Sequence, residues 1–283
     1  MSFTKATLET AMNNLAKAGK IFSNESQFQF DLVWELREMG YDVELEVLSA
    51  DCAPSEFSKL EKEERKKYYT DIIIRDDENY IAIELKYKTP DKGVMLYTTN
   101  IGNYYVFPQG AENISSYLYW KDVERLESLV HKKVPLNFDS NKKVYKGYAV
   151  LLTNDKKYWD VKCYDPCSLA REFFPFDGRQ VENEKLCWHV KLDGLSGKVM
   201  DGRKARKNGI GFIDERVDTE AAAKTYYKEK VEEHYPIEIK GNYQCDWKDF
   251  DCGITKVSGI DKTGKQMPKN ISDYSFSYLL LEV

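Results

Sequence analysis

The sequence predicts an α/β fold in which helices cover a mixed β-sheet. The first half of the chain alternates helical and strand periodicity in the order helix, strand, strand, strand, helix, strand. Hydrophobic residues make up 42% of the 283-residue chain and charged residues 31%, which supports a packed core beside a solvated surface. No apolar run approaches the roughly 20 residues of a membrane-spanning helix, so a membrane-spanning protein is excluded and no membrane partner is expected.

Two helices and a strand open the chain. Apolar residues at helical spacing predict a helix over residues 4–19. Asn24, with Gln27 three residues later, is typical of a capping box at the start of a second helix, and Gly40 ends that helix. Alternating apolar residues then predict a strand over residues 43–48.

Two further strands, a second core helix and a last core strand follow. Residues 69–74 are apolar on both faces, as in a central strand, and a short turn joins them to a strand over residues 80–88. An apolar stripe predicts a helix over residues 109–130, and a strand over residues 144–153 comes after it. The charged segment 55–67 before these strands is typical of a solvated helix or loop.

The second half of the chain has a different pattern. Short aromatic strands and turns follow residue 155, with one alanine-rich helix over residues 219–230 and a final strand over residues 275–283. We therefore predict two regions: an α/β core with its N-terminal helix over residues 1–155, and a β-rich C-terminal extension over residues 156–283 that packs on the core.

Charge and cysteine content narrow the classes of function. The net charge of −5 excludes a uniformly basic protein that coats nucleic acid, but it allows a nucleic-acid enzyme with one local basic groove. The chain does not start with a basic segment followed by an apolar block, which predicts a cytoplasmic protein. Its six cysteines include no Cys-x-x-Cys pair, so we expect free thiols.

Three charged residues lie on strands that are otherwise apolar. Asp71 is near the start of the predicted central strand, and Glu84 and Lys86 lie two apart in the next strand, so they point to the same face. A buried charge is costly unless it is paired or binds a metal. We therefore expect two carboxylates and one lysine to converge at one end of the sheet.

Such a set can support metal-dependent cleavage of phosphodiester bonds. Carboxylate oxygens are hard ligands that hold Mg²⁺, and Mn²⁺ is a possible substitute. The metal polarises a phosphoryl oxygen and lowers the pKa of a bound water. A lysine beside the attacking water can orient it, help to deprotonate it, or offset the charge of the transition state.

Asp71, followed thirteen positions later by Glu84-Leu85-Lys86, resembles the motif of the PD-(D/E)XK nuclease superfamily. The predicted αβββαβ order is similar to the common core of that superfamily, so the resemblance implies a restriction-endonuclease-like fold over roughly residues 20–155. It also implies that the carboxylates of Asp71 and Glu84 and the carbonyl of Leu85 bind the metal, and that Lys86 serves the nucleophilic water. Thr70 stands where the superfamily's name has a proline.

The two core helices offer further candidates through the same resemblance. Many superfamily members add an acidic residue from the first core helix, and Glu25 is the candidate here; a first-turn glutamate favoured by the helix dipole is the alternative. Gln29 lies one turn further on. In the second core helix, Gln109 and Tyr117 correspond to residues that contact the site or the substrate in some branches, whereas an ordinary polar flank beside a packed tyrosine is the alternative.

A basic cluster in the second half is a candidate for binding phosphates. Arg203, Lys204 and Arg206 lie among glycines, which predicts an exposed loop. Such a loop can neutralise phosphates and thereby bind the substrate. A solvated charged loop with no ligand is the alternative.

The sequence thus predicts a Mg²⁺-dependent nuclease, with DNA favoured over RNA by the resemblance alone. The second half would then supply substrate selection or the surface of a homodimer. Two alternatives stay open: a nucleic-acid-binding or assembly module that keeps the fold without cleavage, and a hydrolase of a different phosphate ester. The intact Asp71, Glu84 and Lys86 disfavour the first, and the lack of a glycine-rich phosphate loop disfavours the second.

Overall fold

A computed structural model describes residues 2–49, 68–76, 79–91, 93–132, 135–136, 139–163, 170–192, 199–200, 214–217 and 235–283. These residues form a mixed α/β protein built on one central sheet. The helices are α1 (Lys5–Lys17), α2 (Glu25–Glu38) and α3 (Glu112–Lys132). The strands are β1 (Asp42–Ser49), β2 (Tyr68–Asp76), β3 (Asn79–Lys88), β4 (Met95–Thr99), β5 (Gly102–Val106), β6 (Pro135–Leu136), β7 (Asp139–Thr153), β8 (Gln180–Glu182), β9 (Lys185–Leu186), β10 (Trp188–Leu192), β11 (Val199–Met200), β12 (Asp214–Val217), β13 (Ile237–Glu238), β14 (Asn242–Gln244), β15 (Trp247–Phe250), β16 (Ile254–Ile260), β17 (Gln266–Lys269) and β18 (Phe276–Glu282).

The central sheet has the strand order β1-β2-β3-β7-β18-β15. Strands β3 and β7 run parallel, and the other neighbouring pairs along this path are antiparallel. Helix α3 connects the two parallel strands, as a parallel pair requires a long crossover. The predicted α/β class is confirmed, and α2, β1, β2, β3, α3 and β7 follow in the predicted order. A hairpin, β4–β5, is inserted before α3. Its strand β4 pairs with the C-terminal strand β16, and β17 completes this second sheet on the other side of β16.

Each face of the central sheet covers its own apolar core. Along β3, Ile81, Ile83 and Leu85 pack in the core that contains α1 and α2. Tyr80 and Ala82 pack in the other core, with α3 and the short strands of the C-terminal half. Because side chains alternate along a strand, Glu84 and Lys86 share the face of Ala82 and lie under α3.

The start of α2 is fixed by side-chain hydrogen bonds. Oδ1 of Asn24 accepts from the backbone N–H of Gln27 at 2.8 Å, as predicted for a cap. The reciprocal bond of the predicted capping box goes elsewhere, because Oε1 of Gln27 accepts from the backbone N–H of Ser23 at 2.8 Å. Gly40 follows the helix with φ at +91°, a conformation that glycine adopts without strain. These signals place Glu25 in the first turn of α2.

Helix α3 starts at Glu112, three residues later than the sequence predicts. Ala111 has a φ of +73°, which is incompatible with a right-handed helix, so the helix cannot include the residues before it. Gln109 therefore lies in the connection from β5 rather than on α3. The predicted helix over residues 219–230 and the charged segment 55–67 lie outside the described residues.

The C-terminal half takes part in the central sheet. Strand β18 pairs with β7 from Ser277 to Glu282, and β15 pairs with β18. Four of the six cysteines, Cys163, Cys187, Cys245 and Cys252, fall in the described residues, and all four are free thiols. No helix in the described ranges has the length and apolarity to cross a membrane.

Candidate active site

The predicted site lies where the ladder between β2 and β3 ends. The last pair between the two strands is Ile72 opposite Ile83. Asp71 precedes Ile72 in β2 and therefore lies just beyond this last pair. Its Oδ2 accepts from the backbone N–H of Leu85 at 2.7 Å, so the side chain takes the place of a strand partner. On the other side, β1 carries Glu46 with a φ of +51° opposite the same point. The sheet is thus irregular on both sides of Asp71.

Glu84 is the most deeply buried charged residue of this group, with a side chain only 1% exposed. Its Oε2 forms an ion pair with Nη2 of Arg125 on α3. Among the described residues, its Oε1 has no hydrogen-bond partner. Burial raises the pKa of Glu84 well above its ordinary value, and the nearby Arg125 only partly offsets that effect.

Lys86 lies within a cage of carboxylates. Its Nζ is 2.8 Å from Oδ2 of Asp122 and 3.9 Å from Oε1 of Glu25. It also donates to the backbone carbonyl of Leu85 at 3.0 Å. Burial opposes its charge, but the carboxylates of Asp122, Glu25 and Asp71 outweigh burial, so the pKa of Lys86 is raised above its ordinary value. The ammonium is therefore charged at neutral pH.

Asp71 differs from an ordinary surface aspartate. Burial raises its pKa to about 6, although the charge of Lys86 and the hydrogen bond from Leu85 act in the opposite direction. Perturbed carboxylates of this kind are concentrated at functional sites, although structural networks produce them too. The structure brings Asp71, Glu84 and Lys86 together: Asp71 and Lys86 shift each other's pKa, and both act on the pKa of Glu84.

Helix α2 reaches the site from the opposite face of the sheet. Oε2 of Glu25 accepts from the backbone N–H of Tyr87 at 2.9 Å, and its Oε1 faces Lys86. Gln29, one turn later, donates to the backbone carbonyl of Asp71 at 2.8 Å and to Glu46 at 2.9 Å. Both candidates of the first core helix thus contact the strands that carry the site.

Two residues of the site were missed by sequence reasoning, Asp122 and Arg125 of α3. Asp122 is within 3.1 Å of Arg125 as well as in contact with Lys86. The sequence held one usable signal. The two charged residues are flanked by the buried Val123 and Leu126, so they interrupt the apolar stripe of a helix that packs on the sheet.

No contact with this site is described for the remaining candidates. Tyr117 is wholly buried, its ring packs edge-on against Phe173 at 5.1 Å, and its hydroxyl accepts from the backbone N–H of Tyr235 at 3.1 Å. Such burial does not fit the predicted contact with a substrate, and packing explains this side chain. Gln109 is half-buried in the connection before α3. The basic cluster Arg203, Lys204 and Arg206 lies outside the described residues.

The donor atoms of the site suit a hard divalent cation. No group of three or more His, Cys, Asp or Glu side chains in the described part of the chain is gathered as a metal cluster. The smaller set of two carboxylates, Asp71 and Glu84, with the carbonyl of Leu85, offers only oxygen ligands, which Mg²⁺ prefers. The buried Oε1 of Glu84, without a partner among the described residues, fits the role of a metal ligand.

No protein-family model matches this chain, and no curated protein or solved structure matches it either. The chemistry proposed for the site therefore depends on its own residues.

Proposed function

We propose that the protein is a metal-dependent nuclease that hydrolyses phosphodiester bonds on a restriction-endonuclease-like core. The single observation that supports this most strongly is the meeting of Asp71, Glu84 and Lys86 at the point where β2 and β3 cease to pair. DNA is the favoured substrate because the motif Asp71…Glu84-Leu85-Lys86 resembles that of nucleases which act on DNA.

The carboxylates of Asp71 and Glu84 and the carbonyl of Leu85 would hold Mg²⁺ or Mn²⁺. When bound, the cation supplies a polarised phosphoryl oxygen and a water of lowered pKa. The raised pKa values of both carboxylates also agree with a cation site, because the burial that disfavours their ionisation is offset by a divalent charge. Keeping two acidic groups together in a buried place without the cation therefore lowers the stability of the protein.

Lys86 acts in this proposal as a charged donor. Its raised pKa keeps the ammonium protonated, so it orients the attacking water and offsets negative charge on the phosphoryl group rather than removing a proton. Asp122 and Glu25 hold the ammonium in place from two helices on opposite faces of the sheet. Lys86 is therefore already ordered before the substrate binds, whereas a solvent-exposed, freely rotating lysine would have to be ordered at each turnover.

The test is cleavage of plasmid, linear and single-stranded DNA by the purified protein with Mg²⁺ or Mn²⁺. We expect Lys86→Ala to fold and to lose cleavage by about 10²- to 10⁴-fold, the usual contribution of a positioned proton-transfer or electrostatic group. Lys146→Ala is the matched control, because Lys146 lies on the neighbouring strand β7 and pairs with Glu282, away from the site. Thermal melting of each variant checks that it is folded.

Three outcomes would contradict or redirect the proposal. Equal cleavage by wild type and Lys86→Ala would assign the activity to a contaminant or to another site. An equal loss in the Lys146→Ala control would show that Lys86 has no special role. No cleavage by the wild type with any substrate would favour a module that binds nucleic acid without cleaving it, and a gel-shift assay with the same DNAs would then examine binding.

A further inference from the structure

Helix α3 presents two opposite charges, one turn apart, to the site. Asp122 and Arg125 lie 3.1 Å apart between Oδ1 and Nη2. Each also contacts one of the residues proposed for the chemistry, since Nη2 of Arg125 pairs with Glu84 and Oδ2 of Asp122 lies 2.8 Å from Nζ of Lys86. The Asp122–Arg125 pair therefore links the proposed metal ligand to the proposed water-orienting lysine.

The contact with Arg125 leaves the two oxygens of Glu84 in different situations. Both oxygens are buried and neither has a hydrogen-bond partner among the described residues, but Oε2 forms an ion pair with the guanidinium of Arg125. Leaving a buried acceptor unsatisfied costs free energy, so such an atom calls for an explanation. A carboxylate that is held by one oxygen and open at the other is oriented for a ligand at the open oxygen.

We infer that Asp122 and Arg125 are positioning residues of the active site, an inference that rests on the proposed nuclease function. Arg125 holds Oε2 of Glu84, so that Oε1 is the atom offered to the divalent cation. Asp122 holds the ammonium of Lys86 and also fixes the guanidinium of Arg125. Groups that orient a metal ligand in this way commonly change metal affinity or activity by about 10- to 100-fold when they are removed.

The two residues have separable effects. Arg125 contacts the metal ligand, so its loss acts on metal binding. Asp122 contacts the lysine, so its loss acts chiefly on the rate once metal and DNA are bound. A residue that only stabilised the fold would change the melting temperature without separating these two properties.

The experiment measures Mn²⁺ binding to the full chain by the electron paramagnetic resonance signal of free Mn²⁺, without DNA. We expect Arg125→Gln to weaken Mn²⁺ binding by about 10- to 100-fold. Arg125→Lys is expected to lie between Arg125→Gln and wild type, because lysine keeps the charge but lacks the planar guanidinium, whose Nη2 contacts both Glu84 and Asp122. Glu127→Gln is the matched control: it alters a buried carboxylate on the same helix outside the site and should leave Mn²⁺ affinity unchanged.

Asp122→Asn completes the test. We expect it to bind Mn²⁺ within about threefold of wild type and to lower single-turnover cleavage at saturating Mn²⁺ by about tenfold or more. A wild type that does not bind Mn²⁺ would overturn the proposed function together with this inference. A wild type that binds Mn²⁺ and cleaves, with both folded Arg125 variants binding Mn²⁺ as tightly, would overturn the positioning role alone. Arg125→Lys keeps this comparison possible if Arg125→Gln does not fold.

Discussion

At the scale of single residues, the buried carboxylates of α3 have two different kinds of partner. Asp122 contacts the charged side chains of Lys86 and Arg125 in the candidate site. Glu124 and Glu127 instead accept backbone N–H groups: Glu124 from Glu238 at 3.0 Å, and Glu127 from Gly241 at 2.6 Å. The second kind fastens the C-terminal half to α3, so these acids serve the fold rather than the site.

Glu124→Gln should stabilise the protein in a pH-dependent way. Burial raises the pKa of Glu124 to about 7, although the hydrogen bond from the backbone of Glu238 opposes that effect. The folded state therefore favours the protonated carboxyl, and the stability that this group contributes is present below its ordinary pKa of 4.5 and is lost as the pH rises through 7. Glutamine keeps an acceptor oxygen and has no charge to bury. Its advantage over wild type should grow by about 1–3 kcal/mol between pH 4.5 and 8.

Urea denaturation at several pH values measures this difference. Glu127→Gln serves as the comparison. It replaces a carboxylate that accepts hydrogen bonds from the backbone N–H groups of Lys240 and Gly241 and from the hydroxyl of Tyr243. It should lower the free energy of unfolding at pH 8, where Glu124→Gln raises it. If the difference in the free energy of unfolding between wild type and Glu124→Gln does not change with pH, burial does not raise the pKa of Glu124.

Strand alternation explains which site residues could be predicted from the sequence. It fixes Glu84 and Lys86 on one face of β3, and adjacent strands bring Asp71 to the same end of the sheet. The contributions of Asp122 and Arg125 depend on how α3 crosses that sheet, which no local pattern specifies. Tyr117 illustrates the opposite case, since the resemblance implied a contact with the site or the substrate, whereas tertiary packing buries this side chain.

At the scale of elements, the sequence predicts a helix boundary where a capping residue or a glycine marks it, and it does not predict a boundary that lacks such a residue. Asn24 and Gly40 bound α2 as the sequence predicts. The start of α3 was not predicted, because an alanine in the sequence gives no indication that its φ is positive. Strands β4 and β5 were missed for a different reason. They pair with each other in a local hairpin, but the second partner of β4 is β16, which lies far away in the chain, so this part of their sheet is a tertiary property.

Asn24→Ala should weaken the start of α2. The change removes the Oδ1 atom that accepts from the backbone N–H of Gln27, and the loss of such a cap costs about 1 kcal/mol. Asn24→Asp keeps an acceptor at the same place and should stay close to wild type. Urea denaturation of the two variants checks the difference. Equal stability of both would show that the side chain of Asn24 does not cap the helix.

At the scale of the whole molecule, the C-terminal strand completes the sheet that carries the site. Strand β18 pairs with β7, and β7 is the parallel neighbour of β3. Tyr278, Leu279 and Leu280 of β18 are buried, and they pack into the cores on both faces of the sheet. The strand that carries Glu84 and Lys86 is therefore supported by a part of the chain that lies beyond the predicted boundary at residue 155.

A fragment of residues 1–155 should not fold by itself. It lacks β18, so the apolar side chains of β7, such as Val150 and Leu151, would lose their neighbours on that strand, and β7 would become an exposed edge. It also lacks β16, one of the two strands that pair with β4. We expect the fragment to show no cooperative thermal transition by circular dichroism, whereas the full chain shows one.

The full chain with Leu280→Ala is the control for this experiment. Removing a buried leucine side chain costs about 2–5 kcal/mol, so the variant should melt at a lower temperature but still cooperatively. That pattern would attribute the failure of the fragment to the missing strand rather than to a weaker core. A fragment that melts cooperatively near the temperature of the full chain would instead make residues 1–155 an independent domain. The candidate site would then not depend on the C-terminal half, and β18 would be an addition to a sheet that is already stable.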